Sequence, residues 1–93
     1  MSVTTTDAFD ASLFCQLSSD VSLRDEAFGA LAYHHGTRRL VFLKSPELVD
    51  LVRRLADFAS VRDALDALIA VSEHERYLAA LSSLWTSGLL RGR

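Results

Sequence analysis

Ninety-three residues with 49% hydrophobic side chains, ten basic and twelve acidic groups, and a formal charge of −2 describe one packed domain at most. The apolar share excludes wholesale disorder, and the mild negative charge is a poor footprint for a nucleic-acid binder. A single cysteine, Cys15, excludes an internal disulfide framework and any Cys-ligated zinc or iron–sulfur site built by this chain alone.

Cysteine usage also points to a reducing cytoplasm. No apolar run approaches the ~20 residues needed to cross a bilayer, and Met1-Ser2-Val3-Thr4-Thr5-Thr6-Asp7 lacks a basic, apolar signal pattern. The chain is therefore expected to be cytoplasmic, unsecreted and without a membrane partner.

Residues 1–12 are rich in Thr, Ser and Asp without a helical or strand period, and read as a flexible N-terminal arm. Leu13, Cys15 and Leu17 alternate briefly before the polar turn Ser18-Ser19-Asp20, which suits a short strand or an extended lead-in. Val21-Ser22-Leu23-Arg24 alternates again until Asp25-Glu26 interrupts it. Ala30-Leu31-Ala32-Tyr33-His34 then leads to the turn His35-Gly36-Thr37, where Gly36 is the residue suited to positive φ. Arg38-Arg39-Leu40-Val41-Phe42-Leu43 is rich in β-formers, so this region predicts a small antiparallel sheet centred on a hairpin from Tyr33 to Leu43.

Ser45-Pro46-Glu47 is a helix start: Ser caps, Pro fits the first turn and Glu meets the positive dipole end. Leu48, Leu51, Val52, Leu55 and Phe58 follow at helical spacing. Ser60 with Asp63 opens a second helix carrying Val61, Leu65, Leu68 and Ile69. Ser72 with Glu75 forms a capping box for a third, whose stripe is Tyr77/Leu78, Leu81, Leu84 and Trp85 and whose stop is Gly88. A small sheet cannot bury its apolar face alone, so one-sided helices must cover it. The expected fold is α+β and winged helix-turn-helix-like, with a three-stranded antiparallel sheet followed by three helices.

Chemistry finds no foothold in this pattern. His34, His35 and His74 show no metal-ligand spacing, and a lone Cys15 reads as a small buried hydrophobe. Asp63 and Asp66, or Glu73 and Glu75, fit helix N-terminal electrostatics better than acid–base pairs. Glycines at 29, 36, 88 and 92 cradle no phosphate. No catalytic residue, metal or cofactor is expected. The basic group Arg38, Arg39 and Lys44, with Arg53 and Arg54, suits a binding role and a charged guard on an edge strand equally well.

The run Phe28-Gly29-Ala30-Leu31-Ala32-Tyr33-His34-His35-Gly36-Thr37-Arg38-Arg39-Leu40-Val41-Phe42-Leu43-Lys44 resembles the signature segment of the mycofactocin-biosynthesis peptide chaperone family. That family is similar to the pyrroloquinoline-quinone peptide chaperones and belongs to the RiPP recognition elements. The resemblance implies that residues 13–93 form a recognition-element domain. It implies a non-enzymatic chaperone that binds the leader of a ribosomally made precursor peptide and delivers it to a radical SAM maturase. It further implies that the leader adds as an antiparallel strand along residues 38–43, in a groove closed by the third helix. The peptide-binding residues would then be Arg38, Arg39, Leu40, Val41, Phe42, Leu43, Tyr77 and Leu81. Leu40 and Phe42 share one strand face and Arg39, Val41 and Leu43 the other, with neither assigned to the core by sequence. A homodimer stays open. The competing reading is a winged-helix DNA-binding regulator, disfavoured because residues 73–87 carry Glu73 and Glu75 against Arg76 alone.

Overall fold

The computed structural model describes residues 9–92. Eight of the twelve residues read as an arm lie outside them. Residues 9–12 rest on the helical half: Phe9 meets Trp85 edge-on at 6.2 Å, and the Ala11 carbonyl accepts from the Arg62 amide at 2.9 Å. The Ser12 hydroxyl and amide both donate to Asp10, which holds that carboxyl below its usual range.

Four strands precede the helices. β1 is Gln16–Leu17, β2 Val21–Glu26, β3 Gly29–His34 and β4 Arg39–Leu43. β2, β3 and β4 form an antiparallel sheet in that order, with Val21 opposite His34 and Ala30 opposite Leu43. β2 continues through Asp25-Glu26, where the apolar alternation stops, because both residues remain paired in the ladder with Ala30 and Gly29; Arg53 reaches the exposed Asp25 carboxylate at 3.1 Å. Gly29 is required where β3 begins. Its φ is +151°, and an added Cβ would overlap the Leu43 carbonyl oxygen and lie 3.0 Å from the Ser45 nitrogen.

The hairpin tip departs from expectation. Positive φ falls on Arg38 (φ 63°) rather than on Gly36. The buried His34 ring organises this loop, since the Gly36 and Thr37 amides donate to its Nδ1 at 3.1 and 3.2 Å. The Arg38 amide then closes onto the His34 carbonyl at 2.7 Å, so the reversal in backbone hand is deferred to the last loop residue.

Ser45 is extended and its Oγ accepts from the Leu48 amide at 3.1 Å, starting α1 at Pro46–Arg54. Ser60 likewise caps α2, Val61–Leu68, through the Asp63 amide. The expected Ser72 cap does not form. A 3₁₀ turn over Val71–Glu73 runs straight into α3, His74–Thr86, so Ser72 lies within the helical turn instead of the extended position a cap requires. His74 ties the two helices instead: its Nε2–H donates to the carbonyls of Leu65 and Ile69, which end α2. Gly88 stops α3 with φ +84°, and Leu89 returns its amide to Leu84. The chain then forms β5, Leu90–Arg91, which pairs with β1.

All the helices lie on one side of the three-stranded sheet. Ala30 and Ala32 of β3 are fully buried there, and their small side chains let α1 approach closely. Leu43, Leu51, Val52, Leu55, Val61, Leu65, Leu81 and Leu89 are the largest fully buried side chains of this core, each burial contributing about 1.5–3 kcal/mol. The arrangement accords with the expected α+β class.

Candidate functional site

Both outer strands of the three-stranded sheet are edges among the described residues. The β2 edge is equally unpaired in its backbone but carries ion-paired charges on both sheet faces, Arg24 with Glu26 at 2.8 Å and Asp25 with Arg53, of the kind that guards an edge strand. β4 carries no such lock. Arg39 opens it and Arg38 and Lys44 flank it, and none of the three has a carboxylate at ion-pair distance among the described residues. Arg53 and Arg54 are engaged by Asp25 and Asp50, which divides the basic group seen in sequence into a tied half and an untied half.

The sides of β4 are now assigned. Arg39, Val41 and Leu43 share the face of His34, Ala32 and Ala30, which is the core side; Leu43 is buried and Val41 half-buried. Leu40 and Phe42 point away from the helices and are 53% and 55% exposed. Backbone direction follows as well. The Leu43 carbonyl is the group an added Gly29 Cβ would meet, so residue 43 turns its backbone toward β3. Alternation in an antiparallel strand then turns Val41 the same way and sends the amides and carbonyls of Leu40 and Phe42 outward.

Beyond Lys44 the chain bends into α1 and leaves a depression of about 150 Å³ lined by Lys44, Ser45, Leu48, Arg76, Tyr77 and Ala80. Tyr77 is the buried floor of this region, and the Arg76 guanidinium lies 5.2 Å from its ring centre while pairing with Glu73. Leu81 is fully buried, so it shapes the helix face from beneath and offers no surface of its own. Sequence reasoning missed Leu48, Arg76 and Ala80. Arg76, Tyr77 and Ala80 share one face of α3 by their spacing, which was the available signal.

Other reactive groups are structural. Cys15 is buried, which pushes its thiol up to about 11 and keeps it protonated and unreactive near neutrality. His35 bonds Ser22 at 2.7 Å and stacks edge-on with Tyr33. No group of three or more metal-ligating side chains occurs among the described residues.

An open edge strand beside a helix-lined depression suits a ligand that is itself a strand, and comparison with known proteins supplies its class. The sequence model of the Peptide chaperone MftB family matches residues 15–91. The chain belongs to that family. It is 48% identical over 84 residues to the Peptide chaperone MftB of Mycobacterium ulcerans, covering 89% of this chain and 77% of the relative. It is 43% identical over 83 residues to that of Mycolicibacterium smegmatis, covering 88% and 81%, and 41% identical over 83 residues to that of Mycobacterium tuberculosis, covering 88% and 76%. No solved structure matches. A member of a peptide chaperone family is a binding protein rather than an enzyme. No helix among the described residues is long and apolar enough to cross a membrane.

Proposed function

We infer that this chain binds the leader of a ribosomally made precursor peptide as an added strand on β4 and delivers it, chemically unchanged, to a radical SAM maturase in the cytoplasm. The observation that carries the reading is the unpaired β4 edge, bordered by untied cations and ending at the Tyr77 depression, in a member of a peptide chaperone family.

Strand addition divides the work between backbone and side chains. The outward amides and carbonyls of Leu40 and Phe42 set register with the incoming strand. Its alternate side chains meet Leu40 and Phe42 on one face and Val41 and the Tyr77 region on the other. Arg38, Arg39 and Lys44 favour carboxylates at the two ends. Leu43 and Leu81 support this surface from the core.

Calorimetric titration of the purified chain with the cognate precursor peptide tests the reading, followed by mass spectrometry of the recovered peptide. The expected result is saturable binding in the sub-micromolar to micromolar range, about −8 kcal/mol or tighter, with unaltered peptide mass. Absence of binding, or modification of the peptide by this chain alone, contradicts it.

A further inference from the structure

The helices cover one face of the sheet, and its other face carries an apolar surface that no other described segment covers. The strand register lays this face out in rows. Arg24, Leu31 and Phe42 form one row, and Ser22, Tyr33 and Leu40 the next. One step the other way, Glu26 pairs with Gly29, and the same register brings Lys44 to the far side of that glycine. Phe28 folds over the side chain-free position and meets Phe42 edge-on at 5.9 Å. Phe28 and Phe42 remain 45% and 55% exposed, and with Leu31 they line an open hollow of about 550 Å³ bordered by Arg24, Glu26 and Lys44. Clustered exposed aromatics of this kind mark an interaction surface.

The charges on the border decide the occupant. Within one row the carboxylate of Glu26 lies on the β2 side and the ammonium of Lys44 on the β4 side, with Gly29 between them. A two-fold axis parallel to the strands and running over β3 exchanges the two sides while keeping each row in place. We propose that two copies of this chain pack these sheet faces together about such an axis. Glu26 of one copy then meets Lys44 of the second, and Lys44 meets Glu26. In the adjoining row Arg24 comes over the Phe42 ring of the second copy, while Leu31 meets Leu31 at the axis. Arg24 stays paired with Glu26 at 2.8 Å within each copy, so the cross-pair extends a row of alternating sign, whereas a wholly acidic partner is opposed by Glu26 and a wholly basic one by Arg24 and Lys44.

Area sets the strength. Three strands ~4.8 Å apart and about five residues long at ~3.4 Å each present a face far smaller than the ~800 Å² per partner of a standard interface. The pair is therefore weak and forms at high local concentration. Because the axis lies over β3, the outer backbone edge of β4 remains open in both copies, while Phe42 and Lys44 border both the second copy and a strand added to that edge.

Sedimentation equilibrium on the full chain from about 10 µM to about 1 mM tests this, with circular dichroism to verify folding of each variant. The expected result is a monomer–dimer equilibrium in which Leu31→Lys and Phe28→Asp each raise the dimer dissociation constant at least about tenfold. Glu26→Lys and Lys44→Glu each weaken the pair as well. The double variant Glu26→Lys/Lys44→Glu restores it, since exchanging both signs preserves the cross-pairs only in a homodimer. A monomer across the whole range, a dimer indifferent to Leu31→Lys, or a folded double variant no tighter than the singles overturns the proposal.

Discussion

Replacing Leu40 by Pro separates pairing by β4's outward edge from pairing within its own hairpin. Leu40 and Phe42 each direct one amide and one carbonyl outward, giving up to four backbone hydrogen bonds to an added strand. At about 0.5–1.5 kcal/mol each these contribute roughly 2–6 kcal/mol, while ordering a disordered peptide costs about 2–5 kcal/mol, so the backbone term is nearly cancelled. Affinity consequently sits close to the loss of any one bond. Leu40→Pro deletes an outward N–H and places the ring where the peptide carbonyl must come, leaving that carbonyl unpaired at a cost of about 1–3 kcal/mol, or roughly 5- to 150-fold in Kd. The fold keeps its internal ladder, because Pro is tolerated on edge strands when its nitrogen faces outward. Val41→Pro is the opposite case: its amide faces β3, and the variant should lose helical and sheet signal together. Leu40→Ala supplies the control for the missing side chain. Calorimetry with the leader peptide and thermal melts by circular dichroism read all three. A folded Leu40→Pro variant binding as tightly as Leu40→Ala refutes strand addition at this edge.

Gly29→Ala should lower stability by about 2–4 kcal/mol, read as the denaturant midpoint, because the new Cβ meets backbone on the Leu43 side and φ is +151°. Cys15 should resist thiol reagents in the native state. Its thiol is raised from 9.0 to about 11, so the stability this burial protects is full below pH 9 and declines as pH rises from about 9 through 11, visible as falling melting temperature that Cys15→Ala removes. Reversing Arg38 and Arg39 to Glu should weaken an acidic leader by about tenfold at low salt and less as salt rises, while binding of random duplex DNA stays negligible in wild type. Equal peptide affinity for both charge states across the salt series contradicts a role for these arginines.

Much of this architecture was legible because its signals are local. Ser45 and Ser60 cap where their neighbours' periodicity begins, and the β-formers after Arg38 had only one short turn through which to pair with residues before His34. Ser72 misled because a Ser-x-x-Glu spacing does not reveal whether the chain arrives extended, and here it arrives in a 3₁₀ turn. Gly36 misled because the His34 ring, a partner outside the turn pattern, fixes the loop. The β1 and β5 pair has two residues per strand, too few to show any period. The site was legible as a strand but not as a surface. β4 is apolar on both faces, and only the small Ala30 and Ala32 beside it determine that the helices pack against Val41 and Leu43 and leave Leu40 and Phe42 outside.

Amide hydrogen exchange followed by NMR, with and without the cognate leader peptide, tests strand addition on β4 most directly. The free chain should protect Val41, whose amide faces β3, and leave Leu40 and Phe42 exchanging rapidly. Peptide should slow Leu40 and Phe42 selectively and leave β2 unchanged. Protection gained along Val21–Glu26, or none gained at Leu40 and Phe42 under saturating peptide, would contradict the account.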